Sequence, residues 1–414
     1  MTDERISRDL ALEHIRHHIQ AHPPQTRNVH VGEALALVCG RDFFAAHSSP
    51  VQPKSNVDGY ALSSDATQGA TEEAPAYFNI SGEIRPSSTA SSPLRQGQAV
   101  VMLTGGQMPE GADCAVAFED VIVEGKRLVV TRELQPGQHV CHSGSDIKAG
   151  TRVIRRGEEF TPAVLATLAV SGILNIEAYV PPKICVMAIG NELATLTSND
   201  ESKQMPADNL LLAAGLLRLR GVDEVNSEVC PNDLEVIAQR LRDTTDLECI
   251  ITTGGTGPGQ RDFILRAASL AGFTPLFNGI ALTPGKSCFA AVKGRTILFA
   301  LPGTPWAVFA LMHALVLPAV CWMRGRTIPV PSPVLARPLV MPSLAQPGWE
   351  KLVPCTITPH GSELQATPLL DRSRETRRDM IEAQGLLIVS GLEEPGDLLP
   401  MIPIWEHRRG HRFD

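Results

Sequence analysis

The sequence predicts a multi-domain α/β plus β protein built around a three-layer α/β domain with a mostly parallel sheet. Three observations carry this expectation. At 414 residues the chain exceeds one ordinary hydrophobic core and has room for roughly two to four domains. From residue 183 onward, apolar runs of strand length alternate with helical patterns, as in a parallel sheet covered on both faces. The flanks are instead dense in Gly, Pro and Ser and hold only short strand-like runs.

In chain order, residues 7–22 carry a helical pattern and residues 47–140 read as a small β-rich domain. That domain contains the run QAVVML and a hairpin in DVIVEGKRLVVTREL, where Glu-Gly-Lys supplies the turn. TPAVLATLAVSG follows as a helix with Thr161 as N-cap and Pro162 at its first position. The two helical stretches bracketing the β-rich segment are expected to pack together, so that residues 1–46 and 141–177 form one discontinuous domain. Within 178–326, KICVMAIG, LECIITTGG and RTILFALPG are strands. DNLLLAAGLLRLRG, closed by Gly221, NDLEVIAQRLRD, begun by a capping Asn or Asp, and DFILRAASLAG are helices. Residues 327–414 return to Pro-rich short strands and end in the basic tail HRRGHRFD.

Composition narrows the function classes. Hydrophobic residues at 43%, charged at 20% and a mean hydropathy of zero are globular values. A net charge of −8 and a pI near 5.9 leave no global basic footprint for nucleic acid, so any anion must be attracted locally. Nine cysteines without a C-x-x-C spacing read as reduced thiols in apolar runs. The charged, amphipathic N-terminus lacks the apolar stretch of a secretory signal, giving a cytoplasmic expectation. WAVFALMHALVLPAVCWM (306–323) is near the lower length limit for crossing a bilayer, but it follows a strand and a Pro-Gly turn, so a helix buried against the sheet is expected and no membrane partner. His14, His18 and His22 share a helix face at i, i+4 spacing and read as solvated.

The stretch ITTGGTGPGQRDF (251–263) raises the functional question. Glycines at the C-terminal end of a parallel strand let the main chain approach a ligand, and the next helix N-terminus favours phosphate or another oxyanion. Open α/β sheets bind ligands at that edge. Asp262 at the helix start is equally a plain N-cap.

The stretch has company. SNVDGYAL (55–62), VMLTGGQMPEGADCAVAFED (101–120), SGSDIKAG (143–150), AIGNEL (188–193), TTGGTGPGQRD (252–262), TPGK (283–286) and LPGTPWA (301–307) occur together in this order. The chain resembles the molybdopterin molybdenumtransferases, the molybdate-inserting family related to the E domain of gephyrin, from about residue 8 to about 404.

That resemblance implies insertion of molybdate into the dithiolene of adenylylated molybdopterin with release of AMP, using Mg2+. It also implies a β-barrel-like fourth domain at 327–414, a homodimer and transient contact with other cofactor-biosynthesis enzymes. The expected site lies between the α/β domain of one subunit and the β-rich domain of the other. Asp58, Asp146, Glu192, Asp262 and Lys286 are the implied catalytic residues. Thr104, Gly105, Gly254, Gly255, Thr256, Gly257, Arg261, Pro302, Gly303 and Pro305 are the implied substrate contacts. Carboxylates repel an anionic substrate unless a hard cation bridges them, and magnesium takes one or two carboxylates plus phosphate oxygens, so Asp262 and Glu192 are the expected metal ligands. Lys286 would meet a phosphate as a point charge.

The departures from the family pattern bear on the reaction. Val57 replaces the usual Met, Thr283 a lysine of KPGKP, Thr304 the Asn of GNP, and Asn191 the Asp of GDEL. Arg295 or Arg261 is the candidate substitute for the missing lysine. The loop at 252–262 looks like that of molybdopterin adenylyltransferases, which keeps ATP-dependent adenylylation as an alternative; a non-catalytic pterin-binding scaffold is the other.

Overall fold

The computed structural model describes residues 5–86, 92–194, 205–244, 246–255, 261–328, 332–369 and 376–404. Its centre is a six-stranded sheet in the order Val225–Cys230, Ile184–Ile189, Cys249–Thr253, Thr296–Leu301, Phe289–Lys293, Thr274–Asn278. The first four strands run parallel, and the last two join by antiparallel pairings, Phe289–Lys293 to Thr296–Leu301 and Thr274–Asn278 to Phe289–Lys293. The antiparallel pair was not read from the sequence: Thr274–Asn278 carries Pro275, which an edge strand tolerates. Ile184–Ile189 and Thr296–Leu301 are buried at every position, as strands covered on both faces must be.

Two hydrophobic layers cover the sheet. On one face, helices Leu234–Asp243 and Arg261–Leu270 place Ile237, Leu241 and Ile264 against Met187 and Leu298. On the other lie helix Asp208–Arg218 and the long helix Pro305–Met323, of which 89% is buried, so the apolar 306–323 stretch is a core helix here. Pro318 lacks the N–H that would continue the helical ladder, and the turn before it, Met312–Val316, widens to a π-helix.

Helix Arg8–Ala21 belongs to this same core. Ala11, Ile15 and Ile19 pack with Val320 and Met323, whereas the sequence groups this helix with Pro162–Val170. The physical reason is its apolar stripe, spaced four residues apart, which finds the exposed flank of the long helix. The remaining part of the first segment does join the later one: Thr26–His30 pairs antiparallel with Asn175–Tyr179, and Phe43–Phe44 with Arg152–Ile154. Val29, Phe43, Phe160, Leu168 and Ile176 fill the core between them. Thr161 caps the Pro162–Val170 helix by accepting the Val164 amide at 3.3 Å.

Inserted between these halves is a six-stranded sheet in the order Cys114–Ala117, Gly59–Leu62, Gln98–Met102, Ala76–Ile84, Arg127–Val130, Ile122–Glu124. Its hairpin turns at Gly125, whose φ of 64° suits the two-residue connection between Glu124 and Arg127. At the C-terminal end, Glu350–His360, Glu363–Pro368, Val334–Pro338, Leu399–Pro403 and Gly385–Val389 pair in a ring and close a barrel around Val353, Leu387 and Met401. Leu282–Thr283 from the α/β region adds in parallel beside Glu350 and ties barrel to sheet.

Candidate functional site

The loops leaving the C-terminal ends of the parallel strands meet in one cavity of about 340 Å³. Gly190, Asn232, Gly254 with Gly255, and Gly303 each follow a different strand, and all line it. This is the edge where open α/β sheets hold ligands.

The glycines there serve packing before anything else. Gly254 has a φ of 90°, and a Cβ on it would come within 2.6 Å of the Ile189 carbonyl oxygen. A Cβ on Gly303 would stand 3.2 Å from Gly254 Cα, so the two turns nest against each other. The Gly254 amide donates to Leu301 O at 3.1 Å and that of Gly190 to Cys230 O at 3.1 Å. These two amides complete the sheet edge, while residues 256–260, on whose amides the sequence expectation also rests, lie outside the described residues. What glycine provides is a floor with no side chain above it.

The polar groups that face the cavity come from elsewhere. Asn209, in the first turn of helix Asp208–Arg218, donates its Nδ2 to Gly303 O at 2.9 Å. That bond fixes the amide orientation and leaves Oδ1 as a buried acceptor without a partner among the described residues. Asn232 Oδ1 and Thr253 Oγ1 are likewise buried and unpartnered, and both residues line the cavity. A native fold rarely leaves such atoms unsatisfied, so their concentration on one wall marks a place for a polar ligand or ion. Asn232 is held by the Asn191 Oδ1, which accepts its amide at 3.0 Å, while its neighbour Asp233 caps the next helix.

Two helices also begin here. The N-caps of Asp208–Arg218 and of Pro305–Leu311 are Ala207 and Thr304, and neither makes a side-chain capping bond. Their first-turn amides and partial positive charge therefore open toward the cavity. Glu192 is exposed at the rim, and Arg377 from the barrel region reaches the opposite rim on Asp208.

The regions that build this geometry match two known families. Residues 6–172 match the model described as MoeA N-terminal region (domain I and II), and residues 185–321 match the probable molybdopterin binding domain. The chain belongs to the MoeA family. A molybdopterin molybdenumtransferase of Staphylococcus epidermidis is 28% identical over 302 residues, 72% of this chain and 71% of the relative. That of Bacillus subtilis is 26% identical over 378 residues, covering 89% and 86%. Two structures of the molybdopterin biosynthesis MoeA protein of Pyrococcus horikoshii match with TM-scores of 0.80 and 0.77 at 22% and 23% identity, over 97% of this chain and 100% of theirs. The latter likeness concerns the fold.

Within this MoeA-family architecture the sequence-derived residues separate into groups. Glu192, Gly254, Gly255, Gly303 and Pro305 line the cavity. Thr256 and Gly257 lie outside the described residues, as do the side chains of Arg261 and Asp262, whose main chain opens helix Arg261–Leu270. Pro302 immediately precedes Gly303 and Lys286 is exposed on the turn after Leu282–Thr283; neither is among the residues that line the cavity. Arg295, the proposed stand-in for the missing lysine, faces Glu248 at 3.8 Å and Pro23 O at 3.5 Å instead.

A second group sits in the inserted sheet. Asp58 Oδ1 accepts both the Thr104 amide at 2.6 Å and the Thr104 hydroxyl at 2.9 Å, and both residues are exposed. These two donors, the amide first, hold the Asp58 carboxyl below the usual carboxylate range. Gly59 is obligatory beside it: a Cβ would lie 1.8 Å from Val116 O. The Gly105 amide is spent on Ser55 O at 2.8 Å. Asp146 is exposed on the return strand-loop, its amide donating to Ser49 O at 3.0 Å.

Among the described residues, no three of His, Cys, Asp and Glu stand together as a metal-binding group. Asn209, Asn232 and Asp208 were missed by sequence reasoning, whereas Arg377 lies in the charged run RETRRD (374–379), which reads as a mostly solvated loop or helix start from which an arginine could reach the ligand. Asn232 and Asp208 were read only as helix starts.

Proposed function

We propose that this MoeA-family chain is a molybdopterin molybdenumtransferase, inserting molybdate into the dithiolene of adenylylated molybdopterin and releasing AMP. The observation that carries this reading is the cavity at the strand edge of the molybdopterin-binding region, with its buried unpartnered oxygens on Asn209, Asn232 and Thr253. An anionic, hydrogen-bonding substrate suits that wall, because two helix N-termini supply partial positive charge and the glycine floor admits a flat ring.

The donor set also fits a hard cation. Carboxylate from Glu192 and neutral oxygens from Asn232, Asn209 and Thr253 are the ligand types magnesium accepts beside substrate phosphate. Bound there, Mg2+ would offset negative charge on the phosphoanhydride as it is cleaved. The chain's own residues do the positioning. Asn209 is braced against Gly303, Asn232 is braced by Asn191, and the preorganised amides stabilise developing charge without a covalent nucleophile.

Asp58 and Thr104 form their own bonded unit on a different sheet, and we assign them to the neighbouring subunit's site in a homodimer. Their exposure supports that role, since a contact made only on assembly leaves both side chains open in one chain.

The test uses purified full-length protein with adenylylated molybdopterin, molybdate and Mg2+. Molybdate-dependent AMP release is expected. Pyrophosphate release from ATP with bare molybdopterin would assign adenylylation instead, and tight pterin binding without either product would leave a scaffold.

A further inference from the structure

Among the described residues, the cavity wall carries little full positive charge for an anionic ligand. Glu192 and Asp208 place two carboxylates on its wall, and Arg377 is the only cation among the described lining residues. Helix N-termini contribute fractional charge, not a full unit. Position 283 holds Thr, and Lys286 is not among the residues that line the wall.

Arg377 also differs from the other wall residues in origin. It is the first residue of helix Arg377–Glu382, which packs against helix Pro305–Leu311 and belongs to the barrel region of the chain. Thr376 and Asp379 form a capping box, with the Thr376 hydroxyl donating to Asp379 Oδ2 at 2.8 Å, so the start of that helix is fixed in direction. From there the Arg377 guanidinium donates through Nε, at 3.1 Å, and Nη2 to one oxygen, Asp208 Oδ2.

That arrangement is a poor use of an arginine. A guanidinium edge matches two acceptor oxygens, as a phosphate or another tetrahedral oxyanion presents them, and here both donors crowd onto one. The pair is open to water, with side chains 61% and 40% exposed, so breaking it costs little.

We propose that Arg377 is the anion-binding residue of the cavity, kept at the rim by Asp208 and passed to a tetrahedral oxyanion group when one enters. The proposal rests on the functional reading above only in taking the ligand to be anionic. The group is either a nucleotide phosphate or molybdate itself; both present the same oxygen geometry. In this scheme Asp208 is a competitor that occupies the guanidinium until the ligand displaces it. A bound anion then bridges the barrel region and the α/β region.

Isothermal titration of full-length protein with AMP, inorganic phosphate and molybdate tests this. Arg377→Gln should weaken anion binding about tenfold or more and flatten its salt dependence. Arg377→Lys should recover part of the loss. Asp208→Asn should tighten binding, because the competitor is gone. Opposite signs at the two partners separate an exchangeable cation from a structural ion pair, in which both variants act alike. A loss for AMP and phosphate assigns a phosphate subsite; a loss for molybdate assigns the metal oxyanion.

The proposal is overturned if Arg377→Gln binds every anion as the unaltered protein does, if Asp208→Asn weakens binding to the same degree, or if no anion binds at all. Arg377-dependent anion binding without molybdate-dependent AMP release would remove the proposed activity and leave this site standing. Turnover with an unchanged KM in Arg377→Gln would do the reverse.

Discussion

Replacing Asn209 by Ala separates folding from binding in a way the structure lets one work out. In the folded chain Asn209 is 9% exposed, its Nδ2 makes one bond to Gly303 O at 2.9 Å, and its Oδ1 makes none among the described residues. Removing a neutral hydrogen bond costs about 0.5–1.5 kcal/mol, and the exposed Gly303 carbonyl can recover water. Removing a buried acceptor that has no partner returns about 1–3 kcal/mol. The two terms nearly cancel, so Asn209→Ala should shift the melting temperature by no more than about 2 °C. Ligand binding should suffer in full: the lost acceptor is worth about 1.4–3 kcal/mol, which is about 10-fold to 100-fold in affinity. Differential scanning fluorimetry with and without AMP, followed by titration, measures both. A large fall in melting temperature with unchanged affinity would show Asn209 to be a strut for the 303 turn and would refute the reasoning.

Further outcomes follow from other contacts. Gly254→Ala combines a left-handed backbone with a 2.6 Å approach to Ile189 O and should cost about 2–4 kcal/mol, read by urea denaturation followed in the α/β region. Thr104→Val removes the hydroxyl donor to Asp58 but keeps the stronger amide donor, so the Asp58 pKa, followed by NMR, should rise part of the way toward the ordinary carboxylate range. Because the folded value is depressed, the stabilisation from this carboxylate is present above the unfolded pKa and is lost as pH falls through the folded one; the variant should be less sensitive to acid in that window. Glu159→Ala takes the carboxylate from Arg324, 4% exposed and 2.9 Å away, which keeps its Ala36 O contact, and from Arg326 at 2.7 Å, and should cost about 2–4 kcal/mol by the same denaturation measurement.

Much of the α/β region was legible because burial on two faces writes itself as unbroken apolar runs: Ile184–Ile189 and Thr296–Leu301 need no partner to be recognised. Gly190, Gly254 and Gly303 were legible too, as glycines placed where strands end. What the sequence does not show is that the Gly254 and Gly190 amides are claimed by Leu301 O and Cys230 O. Asn209 was hidden inside a strongly helical segment, where an Asn near the start looks like a boundary marker. Arg377 was legible only as one arginine of the charged run RETRRD (374–379); its pairing with Asp208, far away in the chain, was not, because only the docking of a six-residue helix brings the two together. Helix Arg8–Ala21 failed for the same reason: its pattern revealed an apolar stripe but not which surface would cover it.

The interrupted module has a consequence for how the protein is made. Thr26–His30 leaves the ribosome early, yet its hydrogen-bonding partner Asn175–Tyr179 is translated only after the whole inserted sheet. The insert carries all six of its strands between Gly59 and Val130 and can organise while the earlier segment waits. Once folded, it brings the cut ends of its host near each other, replacing a long floppy loop with a short effective one and lowering the entropy needed to close the host. Damage to the insert would therefore surface first as slow maturation of the module that surrounds it.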